Sequence, residues 1–275
     1  MTPNESTLTF RKSFLHLAAL LGGCVVFWSC GQNPTVPDKE NKTSSGEAIM
    51  VKARNGDRVL IFSKTKGYYH ESIPSGIAAI QKLGAENKFR VDTTKDASKF
   101  TIDNLRKYRA VIFLSTTQDV LNEEQQAAME QYIRGGGGFV GIHAAADTEY
   151  QWPWYNKLVG AYFKSHPNKP NVRKAIVMVT DKSHPATRSL PEKWERSDEW
   201  YNYKDINPDI KVLARLDETS YEGGENGDNH PIIWYHEFDG GRAFYTGGGH
   251  TKESYEDPVF VQHLLGGIEY AIAGE

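Results

Sequence analysis

The feature that most constrains the fold is a regular alternation of short apolar runs with helical patterns between residues 58 and 142. Between the apolar runs lie helical patterns at Ser72–Leu83, Thr101–Lys107 and Glu123–Arg134. Strands and helices that alternate at this spacing form βαβ units, whose strands are parallel. The sequence therefore predicts an α/β fold with a doubly wound, mostly parallel sheet. Its predicted strands are RVLIFS at 58–63, FRVDTT at 89–94, AVIFLS at 110–115 and FVGI at 139–142.

The second half of the chain predicts an antiparallel extension of this sheet. Strand-like segments separated by longer polar loops occur at 174–179, 211–216, 231–238 and 242–248. The last two are joined by Asp239-Gly240-Gly241, which is typical of a hairpin. A closing helix is predicted over Pro258–Ala273. Because no internal repeat interrupts the pattern, we predict one domain over residues 55–275.

The N-terminal segment has the pattern of an export signal. Arg11 and Lys12 precede the apolar run FLHLAALLGGCVVFWSC, which no stop-transfer charge cluster follows. We predict a lipoprotein signal peptide over residues 1–30, with Cys30 as the lipidated residue. Cys24 is the alternative lipidation site, and an uncleaved membrane anchor is the alternative to lipidation.

A tether is predicted between this signal and the domain. Residues 31–54 are poor in aromatic residues and rich in Pro, Ser, Asn and charge, a composition that favours a flexible linker. We therefore expect an exported lipoprotein of the cell envelope, held at the periplasmic face or the outer membrane by an N-terminal lipid anchor.

Composition excludes several functions for the domain. The net charge of −3 gives no bulk electrostatic reason to bind nucleic acid, so we expect no nucleic-acid partner. Both cysteines lie in the N-terminal apolar run, which leaves the domain no catalytic thiol. The glycines at 135–138 precede a strand, whereas a phosphate-binding loop follows one, so we expect no nucleotide cofactor.

Three histidines follow predicted strands of the sheet. His70 comes after the first strand, His143 directly after the fourth, and His250 just after the hairpin. Ligands bind at the carboxyl ends of parallel strands in such sheets, so these side chains are predicted to converge. His143 stands at a strand-to-helix corner, and Asp147 follows about one turn later. For His166, in an SHP sequence, a turn or surface role is the simpler interpretation.

Two aromatic runs are candidates for core packing or for a sugar-binding rim. They are YQWPWYNKLVGAYF at 150–163 and DEWYNY at 198–203. Aromatic faces offer apolar area to a sugar ring, and Tyr and Trp add a polar group. The predicted substrate-binding residues are Tyr69, Glu71, Trp152, Trp154, Trp200, Tyr201 and Thr251.

Four separated motifs resemble the ThuA-like (trehalose utilisation) family over about residues 57–273. They are KTKGYYHESI, the stretch from GGGGFVGIHAAADT to FKSHP, the stretch from SHPATRSL to DEWYNY, and IIWYHEFDGGRAFYTGGGHTKESYEDP. The resemblance implies a class I glutamine amidotransferase-like, flavodoxin-like fold. It also places five residues at the family's recurrent positions, namely His70, His143, Asp147, Glu199 and His250. Amidotransferases of this fold carry a cysteine nucleophile where this chain has His143, so glutamine hydrolysis is excluded.

Two chemistries remain open at this corner. In the first, His143, His250 and Glu199 hold a divalent metal such as zinc, iron or manganese, with His70 as a further candidate ligand. In the second, His143 and His70 are acid/base groups without a metal, and Asp147 and Glu199 orient them.

The resemblance implies a role in saccharide metabolism, with a disaccharide or a 3-keto glycoside as substrate. A sugar hydrolase, lyase or isomerase is therefore expected. The alternative is a non-catalytic saccharide-binding module on the cell envelope, in which the histidines only hydrogen-bond the sugar.

Overall fold

The computed structural model describes residues 56–273. The predicted signal peptide, with Cys24 and Cys30, and the predicted tether lie outside the described residues. Within the described part of the chain, no helix has both the length and the apolar character needed to cross a membrane.

A nine-stranded sheet forms the core, in the order β2-β1-β3-β4-β11-β10-β9-β6-β7. The first five strands in this order are parallel, and the remaining pairs are antiparallel. The predicted α/β sheet with an antiparallel extension is confirmed. The strands of this sheet are β1 (Arg58–Phe62), β2 (Arg90–Thr94), β3 (Ala110–Leu114), β4 (Gly138–Ile142), β6 (Val172–Val179), β7 (Lys193–Glu199), β9 (Lys211–Asp217), β10 (Pro231–Phe238) and β11 (Gly241–Thr246). Two further strands, β5 (Tyr162–Ser165) and β8 (Asn202–Lys204), form a separate antiparallel pair.

Helices cover both faces of the parallel half. The helices are α1 (Ile73–Asn87), α2 (Ile102–Leu105), α3 (Glu123–Arg134), α4 (Pro153–Val159) and α5 (Pro258–Ile272). On one face α5 approaches β11 so closely that a Cβ on Gly267 would lie 2.2 Å from the Phe244 ring. On the other, Tyr155 of α4 packs against Phe113 and Phe139. Two packed faces explain why β3 and β4 are buried at every residue.

Four elements have no counterpart in the sequence prediction: α4, β5, β7 and β8. The sequence of β7, KWERSDE, has five charged residues among its seven and contains no apolar run. It forms the edge of the sheet beside β6, where a polar sequence is tolerated because only one neighbour is needed. The missed edge strand matters, because Glu199 is its last residue.

Candidate metal centre

His143 is held in a conformation that few side chains adopt. β4 ends at Ile142, and His143 has a φ of +51°, in the left-handed region. Such a backbone costs about 1–3 kcal/mol and persists only where its surroundings enforce it. Here the Tyr245 hydroxyl donates to the His143 carbonyl at 2.7 Å. The ring Nδ1 donates to the Gly247 carbonyl at 2.9 Å, which fixes the orientation of the ring.

Three other side chains surround His143 Nε2. Glu199 Oε2 lies 3.3 Å from this nitrogen and 3.1 Å from His250 Nδ1. The two histidine nitrogens are 3.3 Å apart. The His70 ring stands edge-on, with centroid distances of 4.8 Å to His143 and 5.2 Å to His250. One potential ligand atom from each of these four residues lies within 4.8 Å of all the others, and we name the group the His/Glu cluster.

The topology explains this convergence. His70, His143 and His250 follow the carboxyl ends of β1, β4 and β11, which are parallel strands of one sheet. Glu199 arrives from β7, in the antiparallel half. The cluster therefore draws on both halves of the sheet.

The electrostatics of the cluster suit a cation. Burial, reinforced by His143 and His250, lowers the pKa of His70 to about 2, so this ring is neutral. Burial acts to raise the pKa of Glu199, but hydrogen bonds from His143 and His250 outweigh it and hold the pKa well below its ordinary value. Glu199 is therefore ionised, and a metal requires neutral imidazoles and an ionised carboxylate.

The donor set fits a divalent transition metal. Three imidazoles and one carboxylate are typical ligands of zinc, iron or manganese. His70 Nδ1 is buried and has no hydrogen-bond partner among the described residues, so one ring nitrogen of the cluster is unsatisfied. The cluster could hold a metal ion.

We expect metal affinity to fall as the pH is lowered. Burial lowers the pKa of His250, but the hydrogen bond with Glu199 and the negative charges of Glu199 and Asp198 together outweigh it, and the net pKa is raised above 6.5. Protons therefore compete for this ligand from above pH 6.5 downward, and the affinity falls by about tenfold per pH unit below the raised pKa. Zinc titrations against a competing chelator from roughly pH 6 to 8 measure this. A constant affinity across that range would contradict it.

A buried carboxylate fixes the loop that carries His250. Asp198 accepts the backbone N–H groups of Gly249 at 2.9 Å and His250 at 3.0 Å. It also accepts from Arg196 at 2.8 Å and from the Ser254 hydroxyl at 3.0 Å. Since Asp198 precedes Glu199, the same strand end supplies one ligand and positions another.

A cavity of about 560 Å³ opens onto the cluster, and His70 and Glu199 form part of its wall. Asp147 lies in the same wall, together with the rings of Tyr68, Phe163 and Tyr201. A slightly larger cavity, about 620 Å³, lies beside the β10–β11 turn at the opposite end of the sheet. Its two arginines donate to backbone carbonyls at the C-terminal end of α5, a helix-capping role that needs no ligand. The chemistry therefore favours the cavity at the cluster as the candidate ligand-binding site.

Comparison with known proteins gives the family. The model of the family described as ThuA, trehalose utilisation, matches residues 58–271. The chain belongs to the ThuA family. This confirms the resemblance found in the four motifs. No curated protein matches the chain.

Solved structures agree with this membership. A ThuA-like protein from Bacteroides uniformis is 25% identical, with a TM-score of 0.67 over 80% of this chain and 92% of that one. Two others share the fold. A ThuA-like protein from Parabacteroides merdae is 21% identical, with a TM-score of 0.62 over 80% of this chain and 91% of that one. A cytoplasmic protein from Salmonella typhimurium is 12% identical, with a TM-score of 0.53 over 78% and 98%.

Within this ThuA domain, three predicted binding tryptophans lie away from the cavity. Trp152 stacks on Trp154 with centroids 5.0 Å apart and donates to Glu130. Trp154 donates to Asp239, in the hairpin turn at the opposite end of the sheet. Trp200 is buried and donates to the Arg173 carbonyl at 2.7 Å. All three have packing roles.

The other predicted binding residues divide into two groups. Tyr201 lines the cavity, and its ring packs 4.4 Å from the His143 ring. Tyr69, Glu71 and Thr251 do not line it. Tyr69 lies under Lys95, Glu71 pairs with Lys252 at 2.8 Å, and Thr251 hydrogen-bonds Ser254 at 2.8 Å.

Several residues at the site were missed by the sequence analysis. His166, interpreted there as a turn or surface residue, places Nε2 3.7 Å from Glu199 Oε1. Asn171 donates to the same oxygen at 2.7 Å. Tyr68 and Asp198 were also missed. Only Asp198 could have been found from the sequence, because it is a carboxylate directly before the predicted ligand Glu199.

Proposed function

We propose that this ThuA-family chain is an enzyme that acts on a saccharide in the cavity beside the His/Glu cluster. The observation that carries the proposal is the convergence of four potential metal ligands beside a cavity of about 560 Å³, whose wall includes two of them, His70 and Glu199. The aromatic rings of Phe163 and Tyr201 in its wall provide the apolar faces that sugar rings favour. The description of the family, trehalose utilisation, supports a saccharide substrate.

The proposed chemistry combines a metal with a carboxyl group that transfers protons. When bound to the cluster, a divalent ion supplies Lewis-acid polarisation of a sugar carbonyl or hydroxyl oxygen. Asp147 lies in the same cavity wall and accepts a 2.5 Å hydrogen bond from Tyr150. Burial raises the pKa of Asp147 by more than this hydrogen bond lowers it. A carboxyl group with a raised pKa holds its proton more firmly than a free carboxyl group and is suited to exchange it with substrate.

The proposed reaction class is hydrolysis, elimination or isomerisation of a disaccharide or a 3-keto glycoside. Each of these requires a proton to be moved at a carbon or oxygen next to an oxygen that can be polarised. Asp147 is the group proposed to move it, while His143, His250, His70 and Glu199 hold the metal.

The test is the metal content of the protein purified without an affinity tag or chelator, beside its His143→Ala variant. Elemental mass spectrometry is expected to find about one equivalent of a transition metal in the parent and none in the variant. Turnover of disaccharides and their 3-keto derivatives is then expected of the metal-loaded parent only. A parent that stays metal-free after incubation with zinc, iron or manganese would overturn the metal role. Sugar binding without turnover would support the binding-module alternative.

We also propose that this activity is exported and anchored to the cell envelope through Cys30, on the basis of the apolar run that follows Arg11 and Lys12. In a bacterial host fed labelled palmitate, the full chain is expected to incorporate label and sediment with membranes. Cys30→Ala is expected to lose the label, and Cys24→Ala to keep it. Label lost only in Cys24→Ala would move the lipid to the alternative residue.

A further inference from the structure

One aromatic ring that lines the cavity is mostly exposed to solvent. Among residues 56–273, the exposed large hydrophobic side chains are Tyr68, 64% exposed, and its neighbour Tyr69, 44% exposed. Tyr68 lines the cavity at the cluster, and Tyr69 does not. An apolar ring left in water at the mouth of a binding cavity is suited to contact a ligand.

The loop that carries Tyr68 is held in place by β3's carboxyl end. Lys66 N–H donates to the Thr117 carbonyl at 3.0 Å, and Gly67 N–H donates to Thr117 Oγ1 at 3.1 Å. The same hydroxyl donates to the Tyr68 carbonyl at 3.1 Å. A ring presented by such a loop loses little backbone freedom when it contacts a ligand.

Tyr68 lies beside the His/Glu cluster. Its ring meets His70 edge-on with centroids 4.8 Å apart, so Tyr68 adjoins the cluster. A separate aromatic wall lies deeper, where the Phe163 and Tyr201 rings are 4.3 Å apart and Tyr201 packs on His143. The cavity therefore offers one aromatic wall beside the cluster and a second, solvent-exposed ring at its mouth.

We infer that Tyr68 forms a second sugar-binding subsite, and that the ligand is a glycoside of at least two rings. This inference rests on the proposed function. One ring of the glycoside lies at the cluster against Phe163 and Tyr201, and the next stacks on the exposed face of Tyr68. The inference predicts a selective effect: removal of the Tyr68 ring weakens binding of a disaccharide and leaves binding of a monosaccharide unchanged.

The test is an NMR binding titration of the full-length, metal-loaded protein. The probes are trehalose, maltose, cellobiose and their 3-keto derivatives, each compared with glucose and 3-ketoglucose. Tyr68→Ala is expected to weaken the best-bound disaccharide by about tenfold and the monosaccharide by less than about twofold. Tyr68→Phe is expected to keep the parent's affinity, since stacking needs the ring and not the hydroxyl. Tyr69→Ala is the matched control, because Tyr69 is adjacent and exposed but outside the cavity wall.

The outcomes separate this inference from the function on which it rests. A disaccharide affinity that Tyr68→Ala leaves unchanged overturns the subsite and keeps the saccharide site. An equal loss for disaccharide and monosaccharide overturns the two-ring inference, since Tyr68 would then contact the first ring. A parent that binds none of these sugars overturns the proposed function and the subsite together.

Discussion

Replacement of Asp147 by asparagine is expected to lower kcat by about 10²- to 10⁴-fold without removing metal from the protein. Asparagine has nearly the same shape, and its carbonyl oxygen can still accept the Tyr150 hydrogen bond. The variant therefore keeps the local packing but has no carboxyl proton to give or take. Single-turnover rates with the best sugar substrate, beside elemental mass spectrometry, measure both parts of this prediction.

The matched control for this experiment is Asp103→Asn. Asp103 lies on α2, and its exposed carboxylate pairs with Arg106. We expect this variant to retain the parent's kcat and metal content. A normal kcat in Asp147→Asn would remove Asp147 from proton transfer. Loss of metal together with activity would instead assign Asp147 to maintaining the cluster.

The second large effect is expected on stability, from replacement of Asp198 by alanine. Asp198 is fully buried and pairs with Arg196, which is itself almost completely buried. Its removal leaves that guanidinium without its carboxylate partner and takes the acceptor away from the N–H groups of Gly249 and His250. Removing one partner of a buried pair costs about 3–5 kcal/mol. We expect the free energy of unfolding in urea to fall by about this amount.

The isosteric variant Asp198→Asn separates stability from positioning. It preserves volume but replaces a charged acceptor with an amide, so we expect a smaller loss of stability and a 10- to 100-fold loss of metal affinity. Glu195→Gln is the control, since Glu195 lies on the same strand but is exposed and pairs with Lys174 at the surface. An unchanged metal affinity in Asp198→Asn would show that the loop holds His250 without this carboxylate.

The centre of the parallel half of the fold was predictable, because strands that are buried on both faces have continuous apolar sequences. AVIFL in β3 is such a run, and its position is that predicted. The edge strand β7 gives no comparable signal, because it pairs with one neighbour only and five of its seven residues are charged. The prediction placed β1, β2, β3 and β4 but had no strand that ended at Glu199.

The site, like the fold, was predictable only in part. The rule that ligands bind at the carboxyl ends of parallel strands singled out His70, His143 and His250, and the structure brings these side chains together. Glu199 came from the family resemblance alone. Asn171 reaches the site through its contact with Glu199, and the loop of Tyr68 is held there by Thr117. Both contacts join segments that are far apart in the chain, which no local pattern records.

The tryptophans show a different limit. A tryptophan in a polar stretch can face a ligand or bury its ring and satisfy its indole N–H internally. Trp200 takes the second course by donating to the Arg173 carbonyl. Residue type fixes what such a side chain can bind, whereas its direction is set by the surrounding fold.

The cluster's ligands come from strand ends that are distant in sequence, with His143 and His250 separated by 107 residues. An ion held by them would act as a cross-link that closes long loops of chain and ties the two halves of the sheet together. Because only the folded chain offers this arrangement, the free concentration of the ion would set the fraction of molecules that stay folded. Because proteases attack opened chains, metal supply would then govern the lifetime of the protein as well as its chemistry.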